Sequence, residues 1–429
     1  MNIIFFFMIL IAFLFAAGQQ FAGILVGGEI EPMEALSKAI VDSASGSVEL
    51  AIGLAGVMTL FLGLMKVAEA GGILNILSRL IRPLMERLFP DVPPGHPAMG
   101  AMILNFSANA LGLGNAATPF GIRAIQELDK LNSQPGTATN SMALFLAIDT
   151  SGITLLPTGV LALRAAAGSS DPAAILPTTL FATIGSTITA ISAAFVYQRF
   201  FPIKNSEKSV AEKTLPENLK EKSDSDVVAK PYPLWVSISS IFILVALVPF
   251  TIVYGKAISS WIIPGLAVGF LSFGIFKKVR IYEEFVEGAK EGFQVAVRII
   301  PYLVAILVAV GMLNASGAID MMTSFSGVLT SKFKLPAKAL LMAFMRPLSG
   351  SGAYGLMASI INDPAIGPDS YTGYLVTTLQ GSTETTFYVL AVYFGAVNVR
   401  RIRHTLATAL TADVAGVVFA VIACACLFS

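Results

Sequence analysis

The chain has 429 residues, 55% of them hydrophobic and only 13% charged, against about 25% charged in ordinary soluble domains. A formal net charge of +1 leaves no basic face to neutralise phosphates, which argues against a nucleic-acid partner. The composition is that of an all-α polytopic membrane protein. Its two cysteines, Cys424 and Cys426, are separated by one residue and imply no mutual disulfide and no redox compartment.

In chain order, Ile3 to Val26 is expected to be the first transmembrane helix. A signal peptide is the minor alternative, because no cationic leader precedes it and the apolar run resumes at Phe21. Pro32 opens an amphipathic helix with Met33, Leu36, Ala39, Ile40 and Ser43 on one stripe, and a span follows from Val48 to Val67. In Ile73 to Leu88, apolar residues at helical spacing alternate with Arg79, Arg82 and Arg87. That pattern fits a helix lying in the cytoplasmic interface, with Pro83 placed to kink it.

After the proline loop at Pro93–Pro97, Ala98 to Gly114 is short for a crossing and carries Asn105, Ser107 and Asn109, with Asn115 just beyond. Irregular backbone at membrane depth is tolerated only inside protein or beside a water-filled cavity. A re-entrant hairpin with its tip near Leu111–Asn115 is therefore expected. Ile175 to Phe200 closes the first half. Residues 201–232 form a charged linker, placed in the cytoplasm by Lys277, Lys278 and Arg280 at the exit of a helical hairpin that spans residues 233–280.

Residues 281–429 repeat the plan of residues 1–200. Tyr282 to Phe293 is amphipathic and Val297 to Leu313 is a span. Leu348–Gly352 answers Ala110–Gly114, aligning Gly112 with Gly350 and Gly114 with Gly352. One span precedes the first unit and two precede the second, so the units enter the bilayer from opposite sides, an inverted-topology pair.

The most informative stretches are two apolar segments interrupted by polar residues. Asn140 to Arg164 carries Asp149-Thr150-Ser151-Gly152-Ile153-Thr154, and Leu375 to Gly395 carries Gln380 to Thr386 with Glu384 at its centre. Superposing them sets Ser151 on Ser382 and Thr154 on Thr385. Broken helices at matching places in two halves mark the solute path of repeat-built transporters, and an acid at membrane depth faces a cavity, a pathway or a partner. The candidate solute- or ion-binding residues are Glu384, Asp149, Asn105, Asn109, Asn115, Ser151, Thr154, Ser349, Ser351, Ser382, Thr383 and Thr385.

Each has a structural alternative. Asp149 would instead N-cap a half-helix starting at Ser151 or Gly152. Glu384 would pair with Arg346 or Arg298. The Asn, Ser and Thr side chains would be interhelical glue. Arg346 would hold an anionic group or snorkel to the interface.

No Cys or His pair stands at metal-ligand spacing, and no phosphate loop ending in Gly-Lys-Ser/Thr is present. Neither Gly-x-Ser-x-Gly nor His-Glu-x-x-His occurs, so no catalytic residue, metal or cofactor is expected and enzymatic function is disfavoured.

The run Asn105-Phe106-Ser107-Ala108-Asn109-Ala110-Leu111-Gly112-Leu113-Gly114-Asn115 and the runs Arg346-Pro347-Leu348-Ser349-Gly350-Ser351-Gly352 and Gly381-Ser382-Thr383-Glu384-Thr385-Thr386 resemble the Gate, or nucleoside-recognition, domain family. Residues 1–200 are similar to its spore maturation A branch and residues 275–428 to its spore maturation B branch, as in a natural fusion. The resemblance implies two inverted Gate-type repeats with broken helices and re-entrant hairpins. The family name points to a nucleoside-like solute. Iron transport, found in a relative that uses pathway cysteines and a GTPase domain, is not implied.

The expected function is a transporter or channel-like permease for a small polar solute or ion, in the bacterial inner membrane, with self-association into a homo-oligomer left open. The alternative is a non-transporting scaffold for envelope or spore maturation.

Overall fold

A computed structural model describes residues 2–23, 31–93, 95–112, 117–202, 263–318 and 333–428, with isolated positions at 233, 235, 236, 239, 242, 261 and 321. Most of the linker, half of the following hairpin, and Asn115 lie outside the described residues.

In the first half the helices are α1 (Asn2–Phe21), α2 (Pro32–Ala70), α3 (Ile73–Leu88), α4 (Pro97–Ala110), α5 (Ala117–Lys130), α6 (Asn140–Ser151), α7 (Thr158–Ala166) and α8 (Leu176–Tyr197), the last entered through a 3-10 turn at Pro172–Ile175. In the second half they are α9 (Ile263–Phe276), α10 (Ile281–Ala315), α11 (Ala337–Leu348), α12 (Gly350–Asn362), α13 (Tyr371–Ser382), α14 (Thr386–Ala396) and α15 (Thr405–Leu427). Among the described residues three stretches are long and apolar enough to cross a bilayer: α2, Pro172–Tyr197 and α15.

The first helix ends at Phe21, short of the expected Val26. Two further expectations are corrected. The amphipathic stretch after Pro32 and the span from Val48 are one helix of 39 residues, and the corresponding stretches of the second half are one helix of 35 residues. Nothing between them breaks a helix: Gly46 costs only about 1 kcal/mol relative to alanine, and no proline lies between Pro32 and Ala70.

The two halves match element by element. Thr139 caps α6 by accepting from Met142 N, and Ser370 caps α13 by accepting from Gly373 N, at 3.1 and 3.0 Å. Each of these helices runs 12 residues and ends on the serine that the superposition aligned, Ser151 or Ser382. The hairpin α4–α5 answers α11–α12, and α8 answers α15.

Equivalent helices pair antiparallel, which is the inversion itself. Along α2 and α10, Phe285 meets Gly63, Gly292 meets Met58 and Gly311 meets Ser43. Along α8 and α15, Gly185 meets Phe419, Ser186 Oγ donates to Ala412 O at 2.8 Å, and Tyr197 OH lies 3.1 Å from Thr411 Oγ1. Lipid tails are as apolar as leucine, so such pairs are held by close packing of small residues and by hydrogen bonds. A Cβ on Gly288 or Gly292 would strike the Leu62 or Met58 carbonyl oxygen at 2.5 or 2.7 Å, so these glycines let α10 lie on the α2 backbone.

Candidate functional site

The broken helices cross at their breaks. Glu384 N donates to Thr150 O at 2.8 Å, a backbone bond between the two repeats. On one side of this crossing Ala138 N donates to Arg401 O at 2.9 Å, and on the other Arg164 pairs with Asp369 at 2.9 Å. The two broken helices thus lie antiparallel along their whole length.

Each break is also braced by the hairpin of its own repeat. Leu155 N donates to Ala110 O at 2.8 Å, and Gly112, at φ +69°, sits so close to Leu156 that a Cβ there would run into its carbonyl oxygen. Gly350 holds the same place in the second repeat, where a Cβ would lie 2.6 Å from Thr385 Oγ1. The second hairpin turns on one residue, Ser349, whose Oγ caps α12 by accepting from Gly352 N at 3.0 Å.

Asp149 is 1% exposed and lies in the last turn of α6. It therefore does not N-cap a half-helix. The chain leaves α6 at Gly152 and resumes helix only at Thr158, because Pro157 lacks the N–H that an earlier helical turn would need. A carboxylate at the negative end of a helix dipole is unfavourable, and donors from elsewhere offset it. Asn109 Nδ2 donates to Asp149 Oδ1 at 2.7 Å, and Asn105 and the Tyr393 hydroxyl face the same carboxylate. Asn105 Nδ2 also reaches Tyr393 OH at 3.2 Å, while its Oδ1 has no partner among the described residues. Tyr393 comes from α14, so the cluster is built by both repeats.

Glu384 stands in the non-helical step between α13 and α14, one residue before Thr385 at the start of α14, where the helix dipole favours an anion. Its side chain is 41% exposed and lies 3.6 Å from Arg346 NH2. The ion-pair alternative is therefore realised, with Arg346 as partner; the Arg298 side chain is outside the described set. Arg346 is buried, donates from NH1 to Thr385 Oγ1 at 3.0 Å and from NH2 to Thr383 O, and does not reach an interface. It ends α11, where the dipole favours a cation.

The remaining candidates are more local. Ser151 Oγ donates to Ile148 O at 3.1 Å and to Thr187 Oγ1 at 3.2 Å, joining α6 to α8. Thr154 and Ser382 turn back on their own segments, to Gly152 O and Leu379 O. Ser351 is half-buried in the first turn of α12.

Two charged residues of this region escaped the sequence reading. Asp413, in the middle of α15, is 6% exposed and accepts from Thr386 Oγ1 at 2.7 Å. Arg164, fully buried at the end of α7, donates to Pro368 O, Ser169 Oγ and Asp369, and its guanidinium covers the Tyr374 ring at 4.5 Å. Asp413 was findable by the rule that selected Glu384, since it is the one acid within Thr405–Leu427. Arg164 was not, because an arginine at the end of an apolar helix ordinarily snorkels.

Among the described residues no group of His, Cys, Asp and Glu could hold a metal ion. The site combines three acids, Asp149, Glu384 and Asp413, with the buried Arg346, amides and hydroxyls at the meeting of two helix breaks. It can hold a cation, a proton, or a solute rich in hydrogen-bonding groups.

The Gate family, described as nucleoside recognition, matches residues 51–167 and 296–400. The chain is 43% identical over 176 residues to spore maturation protein A of Bacillus subtilis (strain 168), covering 41% of this chain and 88% of that protein. It is 44% identical over 166 residues to spore maturation protein B of the same organism, covering 39% and 92%. The crystal structure of the Alcanivorax borkumensis YdaH transporter is similar over 99% of this chain and 97% of that one, at 15% identity and a TM-score of 0.44. With both repeats matched and their helices apolar, this chain is a helical membrane protein that belongs to the Gate family.

Proposed function

We propose that the chain is a transporter or channel-like permease of the bacterial inner membrane, with residues 201–232 in the cytoplasm, moving a small polar solute or ion between its two repeats. The observation that supports this reading is the crossing of two broken helices, Glu384 N to Thr150 O, with an acid beside each break. A membrane helix gives up its own hydrogen bonds only where protein or water replaces them, and acids at such a place mark solute and ion paths. Glu384, partly exposed, meets the solute or coupling ion. Asp149, held by Asn109, is the deeper acid. No covalent chemistry is assigned to the site.

Glu384→Gln is expected to abolish solute movement in reconstituted vesicles while the full chain still folds in detergent. Full movement in that variant would remove the role. A thermal-shift screen of the purified chain against nucleosides, divalent metals and small carboxylates identifies the solute, because a ligand specific to the native state raises its stability.

The scaffold reading gains from the Arg346–Glu384 pair and from relatives described by spore maturation. It expects Glu384→Gln to weaken the fold with no solute movement to lose.

A further inference from the structure

Arg346 has acids on two sides. Glu384 lies 3.6 Å from NH2 at the partly exposed break. Asp413 lies deeper, on α15, close enough to act on the guanidinium charge yet beyond ion-pair contact. Both inner groups are incompletely satisfied: Asp413 Oδ1 and Arg346 Nε have no hydrogen-bond partner among the described residues. Buried polar atoms are almost always paired, so this cation and this acid each retain the capacity for one further contact.

The elements packed around Asp413 leave few other partners. From α11 comes Arg346, from α14 Thr386 and Tyr393, and from the break Glu384. From α6 comes Asp149, from α13 only Tyr371 and Tyr374 near its start, where Tyr374 stacks on Phe428, and from α8 only Tyr197, at its far end beside Thr411. Gly416, one turn along α15, lets the break lie against the helix, since a Cβ there would sit 2.7 Å from Thr383 Cγ2.

We propose that Asp413 is a positioning residue, the second seat of the Arg346 guanidinium. When Glu384 is neutralised by a proton or a monovalent cation, Arg346 leaves it and pairs with Asp413. The exchange breaks one ion pair and forms another with no covalent step. Because Thr383 O and Thr385 Oγ1 are held by the same guanidinium, the move would release the break that Arg346 now ties to the hairpin. This inference rests on the transport reading only in naming what neutralises Glu384.

The test uses the full chain in detergent and reads thermal stability of the wild type, Glu384→Gln, Asp413→Asn and the double variant across pH. Each single variant is expected to lower the midpoint modestly, because the other acid still holds Arg346. The double variant is expected to fall by more than the sum, since it leaves a buried cation with no acid, and adding Arg346→Gln to it is expected to recover part of the loss. Asp413→Asn should also change the pH profile of the midpoint relative to the wild type, because it removes one of the two acids available to Arg346. Additive shifts, or a pH profile of Asp413→Asn parallel to the wild type, would overturn the proposal. A merely structural Asp413–Thr386 bond would produce that parallel profile. No solute is used, so failure here leaves the transport reading standing, and a failed transport assay leaves this one standing.

Discussion

The two helix breaks share a backbone plan and differ in charge. Each follows a 12-residue half-helix, is braced by a glycine at its hairpin tip, and packs on its opposite number. The first break has a fully buried acid held by an amide, with no arginine in contact with it among the described residues. The second has an arginine flanked by two acids, one of them partly open to the outside. Aligned on Ser151 and Ser382, Asp149 falls on Gln380 and Glu384 on Ile153. The repeat therefore fixes where the backbone opens, and the side chains, free of symmetry, decide what charge stands there.

The sharpest way to break the parallel is through the bracing glycines. Gly112→Val is expected to abolish folded protein, because its left-handed φ and the Leu156 carbonyl both reject a side chain, whereas Gly350→Ala meets side-chain atoms, the Thr385 hydroxyl and Arg346 NH1, and should cost about 1–3 kcal/mol. Yield and melting of the two variants in detergent check this; equal losses would refute the difference.

Arg346→Met should come next, losing about 3–5 kcal/mol, since it leaves acids at the second break without their cation. A midpoint near the wild type would show that those acids do not depend on it.

A smaller loss, about 1–3 kcal/mol, is expected for Asp369→Asn, because Arg164 keeps Pro368 O, Ser169 and the Tyr374 face. Burial pushes the Asp369 carboxyl up, but bonds from Ser169 and Ser170 and the nearby Arg164 outweigh it and hold it below the usual carboxylate range. A depressed folded value contributes stability that is present above the unfolded value, about 3.9, and lost as pH falls through the folded one. The gap between wild type and variant should therefore close only in strong acid. A gap that closes above that range, or that persists through it, would contradict the assignment.

The smallest stability effect is expected at the first break, where Asp149→Asn keeps an oxygen for Asn109 and should stay within about 1 kcal/mol. Solute movement should still fall in reconstituted vesicles. If stability falls as far as for Arg346→Met, the two breaks are not electrostatically distinct.

Much of this design is legible in the residues. Polar and glycine runs inside apolar segments locate both breaks, and the serines that align in sequence are the last residues of their half-helices. The long helices α2 and α10 were not legible as single elements, because an amphipathic stretch running into an apolar one changes periodicity, and α10 also runs on through Pro301, a residue that ordinarily ends or kinks a helix. The identity of partners was less legible still. The Glu384 partner narrows to Arg346 or Arg298 in the sequence, but that Tyr393 reaches Asn105 across the repeats and that Arg164 is buried depend on contacts between residues far apart in the chain.

The bond from Glu384 N to Thr150 O carries a lesson for biogenesis. When α6 and α7 leave the ribosome, the backbone group that completes their break has not yet been synthesised, and Tyr393 is still to come. Until the second half arrives, the first half lacks both that bond and the Tyr393 hydroxyl beside Asp149. Insertion of this protein should therefore be a late, concerted event, and premature termination within the second repeat should yield fragments that are degraded rather than stored.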